Sequence, residues 1–296
     1  MENATEDDST EEFPYFRKIQ FVNLCGLVLT IGGLLLNFFT YSAAGNLNLK
    51  NSSIILIQCQ AIWDSIAIIQ DGILDLGGSY FRFSFIDFSR ISCKILTYHS
   101  WASTFAALYH MMLLSVDRVV AICFPITYKN NTSRQLGYQV SLCVVIFSYT
   151  ITLANIFKFD LVDKCVILAS PLFIYWYTRI IIGVFGYLIP FVVLLASNVL
   201  FVYKLRSRKN DEADRRLTIM LLTNSGVCLV LMTSAVILLV ISFNSIPVSL
   251  KEKAFLLLLD RIRETIGVIN SSVNFIFYFI SGAMFRKAFF TIFKFK

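Results

Sequence analysis

Long apolar runs separated by short polar links dominate this chain. Seven runs are legible, at roughly 18–43, 52–76, 91–124, 136–157, 172–204, 217–243 and 254–280. Each reaches the length of about 20 residues that an α-helix needs to cross the hydrocarbon core of a bilayer. The second and seventh runs carry charges, so their ends are the least sharply drawn. No polar link is long enough for a soluble domain; the one between the fifth and sixth runs covers only about 204–216. The pattern predicts an all-α membrane protein, a seven-transmembrane helix bundle over 18–280. An outer tail (1–17) precedes it and a short cytoplasmic segment (281–296) follows.

Composition supports the bilayer as solvent. Hydrophobic residues make up 57% of the chain and charged ones only 15%, with 28 Phe. A soluble domain of 296 residues has too little interior to hide that much apolar surface. The first 16 residues are acidic, and the first apolar run exceeds the roughly 7–15 residues of a signal-peptide core, so no cleavable signal is expected.

Seven spans put the two termini on opposite sides, and Lys/Arg placement sets the orientation. With the N-terminus outside, 14 of the 26 basic residues are cytoplasmic. The excess is small, but the clusters 204–209 and 286–287 sit at helix ends. The net charge of +7 then reads as a cytoplasmic face against anionic lipid, with no nucleic-acid partner.

Of seven cysteines, five lie within or at the cytoplasmic ends of the runs, where a small buried hydrophobe is the expected role. Cys93 and Cys165 fall on the oxidising side, where a disulfide is permitted; two free thiols are the alternative. Among the sequons, topology leaves only Asn3 accessible for glycosylation.

Polar groups at membrane depth are costly and invite a functional reading. Asp64 lies in the second run and Asn37 in the first. On the seventh, 267, 270, 271 and 274 share one helical face, which aligns Asn270, Ser271 and Asn274. A carboxylate facing amides and a hydroxyl holds either water or a sodium ion, or simply bonds helix to helix. Spacing does not choose between these. Near the end of the third run, Asp117 and Arg118 are adjacent opposite charges, and such neighbours point in different directions on a helix.

Taken in order, these residues resemble the rhodopsin-like (class A) G-protein-coupled receptors over about 18–290. Cys93 precedes Arg118 by 25 residues, and Asp117-Arg118-Val119 with Pro125 is similar to the family's Asp-Arg-Tyr and following Pro. Asn37, Ala61-Ile62-Trp63-Asp64 and Pro190 match the family's first-, second- and fifth-helix signatures. Asn274-Phe275-Ile276-Phe277-Tyr278 looks like Asn-Pro-x-x-Tyr with Phe for Pro. Ser281 to Arg286 resembles the start of a short amphipathic eighth helix. The resemblance implies no enzyme activity, a heterotrimeric G protein as partner, and the plasma membrane as location. It makes Asp117 the restraint on Arg118, which engages the G protein on activation. It also implies an activation pocket of Asn37, Asp64, Asn270, Ser271, Asn274 and Tyr278, with sodium at Asp64 as an allosteric modulator, and a disulfide at Cys93. The sixth run departs from the family: Met232-Thr233-Ser234-Ala235 stands where Cys-Trp-x-Pro is usual, and the hinge for that helix's swing is missing.

Two absences bear on the ligand. Ser100 occupies the position of the amine receptors' Asp, and Val268 that of the opsins' retinal Lys. Acid marks the outer half instead. Asp64, Asp71 and Asp75 form a stripe, with Asp260 and Glu264 on the seventh helix. This predicts an extracellular peptide whose basic residue is held by Asp75 and Glu264, with Asp71, Ser100 and Asp260 nearby. Pairing of these acids with Arg82, Arg179, Arg261 or Arg263 is the competing expectation. A chemosensory receptor for small molecules is the nearer alternative; a transporter or channel is the alternative from another class.

Overall fold

The computed structural model describes residues 4–47, 51–207, 212–244 and 249–293. The described residues form seven long helices and an eighth that lies across their inner end. Helix α1 spans Ala4–Gly45. Helix α2 starts at Ser52–Ile68 and continues through a π-helical stretch, Ile69–Gly77, into Gly78–Phe81. Helices α3 and α4 are Arg90–Cys123 and Arg134–Thr152. Helix α5 comprises Pro171–Tyr177, a second π stretch, Thr178–Leu188, and Ile189–Ser207. Helix α6 is Glu212–Asn244, α7 is Leu250–Ser272 plus Asn274–Ser281, and α8 is Ala283–Ile292.

Among the described residues, five helical stretches are long and apolar enough by themselves to cross a bilayer: Tyr15–Gly45, Ser52–Phe81, Arg90–Cys123, Arg134–Lys158 and Ile180–Lys204. α6 adds the apolar stretch Leu222–Leu238, and α7 bends by 102° into α8. Neighbours pack in sequence order around the bundle, and α1 closes it against α7. α3 is central, touching α2, α4, α5 and α6. Large apolar side chains such as Phe21, Ile31 and Phe38 of α1 point outward, as expected when lipid is the solvent.

The helix starts are set locally. Ser89 caps α3 reciprocally with Ser92, and Ser249 caps α7 with Glu252, each satisfying backbone N–H groups that the helix leaves free. Pro190 lies just beyond the π stretch of α5; it has no N–H to give, and its ring crowds the carbonyl four residues back. The wider turn relieves that conflict. Among its described residues, α6 runs as one uninterrupted helix, consistent with its lack of an internal Pro. α7 breaks at Val273 although Phe275 replaces the expected Pro. Phe275 instead packs into the inner core with Phe39, Phe279, Phe285 and Phe289. That core also takes Phe285 and Ala288 of α8. Arg286 Nη1 donates to the Phe279 and Ile280 carbonyls at 2.9 and 2.7 Å, capping the end of α7.

A two-stranded hairpin is the one exception to the helical pattern among the described residues: β1 (Phe159–Leu161) pairs antiparallel with β2 (Cys165–Ile167). It lies in the loop between α4 and α5. The expected disulfide forms between Cys93 and Cys165, with Cα atoms 5.5 Å apart. Arg90 grips Asp160 with two hydrogen bonds, at 2.6 and 2.5 Å. Asp87 accepts from the Cys165 N–H at 2.7 Å. The outer loop is therefore held to α3 on both strands.

Candidate functional site

Three layers of polar residues run through the bundle, beginning at the inner end of α3. There Arg118 is buried and its guanidinium folds back on Asp117, with Nη2 2.6 Å from Oδ2. Adjacent helix positions diverge at Cβ, but the long Arg arm wraps around the helix and closes the pair. Asp117 also accepts from the Ser52 and Ser53 hydroxyls, both at 2.5 Å, and from Tyr128 at 3.0 Å. Arg118 donates to Tyr128 at 2.6 Å and to Ser53. Tyr128 comes from a short helix, Pro125–Asn131, which Pro125 opens at its first turn, the position where a missing N–H costs nothing. Val119 is half-buried beside this network and contributes no polar group to it.

The middle layer joins α1, α2, α6 and α7. Asn274 donates to Asp64 at 2.7 Å, and Ser271 and Gln60 lie beside that carboxylate. Asn37 donates to the Ser271 carbonyl at 3.1 Å. Tyr278 reaches Gln60 at 3.4 Å and accepts from Asn224 of α6 at 3.3 Å. Asn270 lies instead beside the Cys228 thiol of α6. The carbonyl oxygens of Asn37 and Asn274 are buried with no protein partner.

The outer layer is a cavity of about 110 Å³ that reaches down to Asp64 and is walled by Asp71, Tyr187, Arg263, Glu264 and Asn270. Above it a vestibule of about 590 Å³ is lined by Asp75, Arg82, Asp87, Asp163, Lys164 and Arg261. Ion pairs organise the wall between them. Arg261 meets Glu264 at 2.7 Å; Arg263 meets Asp260 at 2.8 Å and Glu264 at 3.7 Å. Asp71 lies beside Ser100, and Gly267 leaves space in front of it: a Cβ there would stand 3.6 Å from Asp71 Oδ2. Among the described residues no Lys or Arg is within ion-pair distance of Asp71.

Residues 74–278, from the outer part of α2 to Tyr278 of α7, match the model of the 7 transmembrane receptor (rhodopsin family). The chain belongs to that family. It is a multi-pass membrane receptor of the G-protein-coupled type.

Asp75 and Glu264 were expected to converge on one ligand cation. Asp75 lines the vestibule and Glu264 the deeper cavity, yet the two carboxylates are near enough to interact, and Arg261, which pairs with Glu264, lines the vestibule with Asp75. The internal pairing with Arg261 and Arg263 is present; the Arg179 side chain and the sequon at Asn3 lie outside what is described. The residues missed from sequence are Ser52, Ser53, Tyr128, Gln60 and Asn224. Only Gln60 and Asn224 carried a usable signal, as amides inside apolar runs. The serines and Tyr128 lie near helix starts, where their residue types are ordinary.

Proposed function

We propose that the receptor takes an extracellular peptide bearing a basic residue and, at the plasma membrane, activates a heterotrimeric G protein through Asp117, Arg118, Val119 and the Pro125 segment. The observation that carries the ligand reading is Asp71, a pocket-facing carboxylate whose neighbouring acid, Glu264, is already matched by arginines. An incoming guanidinium or ammonium supplies the missing cation and forms a charge-assisted bond. The vestibule above, with acids and bases on its walls, suits the polar backbone and flanking side chains of a peptide. Asp71→Asn preserves shape and removes charge. It is expected to weaken a basic agonist by about 30-fold or more, the lower end for truncating a buried charge pair, with unchanged surface expression. Agonist peptides found by a library screen with a promiscuous G-protein readout provide the assay. Equal potency on wild type and Asp71→Asn would refute the assignment.

The small volume of the inner cavity favours a second reading, a chemosensory receptor for one compact basic molecule. Pockets for drug-sized ligands are typically about 300–1,000 Å³. A small amine that activates as fully as any peptide would establish it.

The Asp64 layer fits a sodium ion. Asn274 and Asn37 spend their N–H groups on Asp64 and on the Ser271 carbonyl, which leaves both amide oxygens buried without a protein partner in this layer. Hard oxygen donors of this kind suit a hard cation. Asp64 of α2 and Asn274 of α7 would hold the ion, which would supply a positive charge between those helices.

A further inference from the structure

We infer that the outer junction of α3, α4 and α5 holds a small inorganic anion, chloride being the available one, between Lys158, Asn155 and Tyr177. Lys158 ends the short helix Asn155–Lys158 that continues α4, and its side chain is only 2% exposed. It is enclosed by aromatic rings: Phe159 at 5.3 Å, Tyr177 at 5.5 Å and Trp101 at 6.0 Å from the ammonium to the ring centroid. Among the described residues no carboxylate pairs with it. The nearest acid in sequence, Asp160, is taken by Arg90 and Lys94.

A lysine satisfied by ring faces alone would leave its surroundings unremarkable, and they are not. Asn155 is fully buried with both amide atoms unpartnered, and the Tyr177 hydroxyl is also buried and unpartnered. Asn155 and Lys158 are three apart, hence neighbours on one helix face. Buried polar groups are almost always hydrogen-bonded, so two donor-bearing side chains beside one lysine point to something that accepts from all three. The charge of Lys158 makes a monovalent anion the matching occupant. The enclosure limits its size, since Asn155, Lys158 and Tyr177 are all buried and none of them lines the ligand cavity or the vestibule.

The position gives the anion a role. The Lys158 carbonyl accepts from Leu168 and Ala169 at 3.1 and 3.4 Å, closing the base of the disulfide-linked hairpin. Trp101 belongs to α3 and Tyr177 to α5. An ion bound there would link the outer loop to both helices and stabilise the ligand-facing end of the receptor.

The test is the thermal midpoint of the full-length detergent-solubilised receptor in sodium chloride, sodium bromide and sodium gluconate at matched ionic strength. Gluconate is too large for the site. A midpoint higher by about 2–4 °C in either halide is expected, the shift for a ligand well above its Kd on a protein of this size. Asn155→Asp places a carboxylate beside Lys158 and should abolish the halide effect while raising the midpoint in gluconate. Lys158→Met should abolish it without that rise. A wild-type midpoint that is the same in all three salts overturns the inference. So does a halide effect that survives both substitutions, because the ion then binds elsewhere.

Discussion

Arg118 and Asp117 share one small network with Ser53 and Tyr128, and each member restrains the guanidinium. Asp117→Ala removes a charge-assisted contact worth about 1.5–3 kcal/mol. If that contact favours the resting state, the active-to-resting ratio should rise about tenfold or more, read as ligand-independent signalling in transfected cells. Arg118→Ala should do the opposite. It lies near the cytoplasmic end of α3, 25 residues or roughly 38 Å from Cys93. Ligand binding and surface expression should persist while G-protein activation is lost; full signalling by Arg118→Ala would contradict the coupling role. At the middle layer, Asp64→Asn should remove the sodium dependence of agonist affinity. A sodium effect that persists in that variant places the ion elsewhere. The residue scale also shows what spacing could not convey: Asp117 and Arg118 pair because of the length of one side chain.

Helices approach closely where a glycine permits it. Gly137 of α4 faces the start of α2, where an added Cβ would lie 2.8 Å from Ile55 Cβ and 3.0 Å from the Ser52 carbonyl oxygen. A backbone oxygen cannot move aside, so Gly137→Ala should force α4 away from α2. The expected loss is about 1–3 kcal/mol, the usual cost of overpacking, measurable as a lower thermal midpoint. Displacing Ser52 also disturbs its bond to Asp117, so basal signalling should rise with it. An unchanged midpoint would show that the α2–α4 contact is loose. The π stretches in α2 and α5 belong to this scale too. Pro190 marks the one in α5, whereas the one in α2 contains no proline, and nothing in its residue pattern announced it.

Across the whole molecule, the outer loop is held to α3 by one covalent and one electrostatic tie. Losing the Cys93–Cys165 bond, as in Cys93→Ser, should cost about 2–5 kcal/mol if it behaves as native disulfides do, and lower surface expression. The Arg90 guanidinium against Asp160 pulls that carboxyl down to about 2, with the Leu161 N–H and Lys94 contributing. Since the folded value is depressed, the tie contributes fully above the ordinary Asp value of about 4 and weakens as pH falls from there toward 2. Hydrogen exchange of the hairpin amides should thus accelerate, relative to the intrinsic rate, in that acid window and not between neutral pH and pH 5. Asp160→Asn should remove the pH dependence and leave the disulfide intact. A hairpin equally protected at pH 3 and pH 7 would show that the disulfide alone holds it.

Periodicity and length were enough to read seven helices, because a chain in lipid must satisfy its backbone bonds within each span and cover the span with apolar side chains. The same logic made Asp64, Asn274 and the acids of α2 and α7 conspicuous, since a polar group at that depth stands against its background. Compartment singled out Cys93 and Cys165. What the linear pattern lacked was the third coordinate: which acid an arginine reaches first. Asp75 and Glu264 look equivalent along their helices, and only the packing of α2 against α7 puts Asp75 at the vestibule and leaves Glu264 paired with Arg261 and Arg263. Likewise Ser52, Ser53 and Tyr128 gather on Asp117 from 65, 64 and 11 positions away. Local sequence determines an element because its bonds are local; a polar network draws on several elements, so its partners were decided by the tertiary fold.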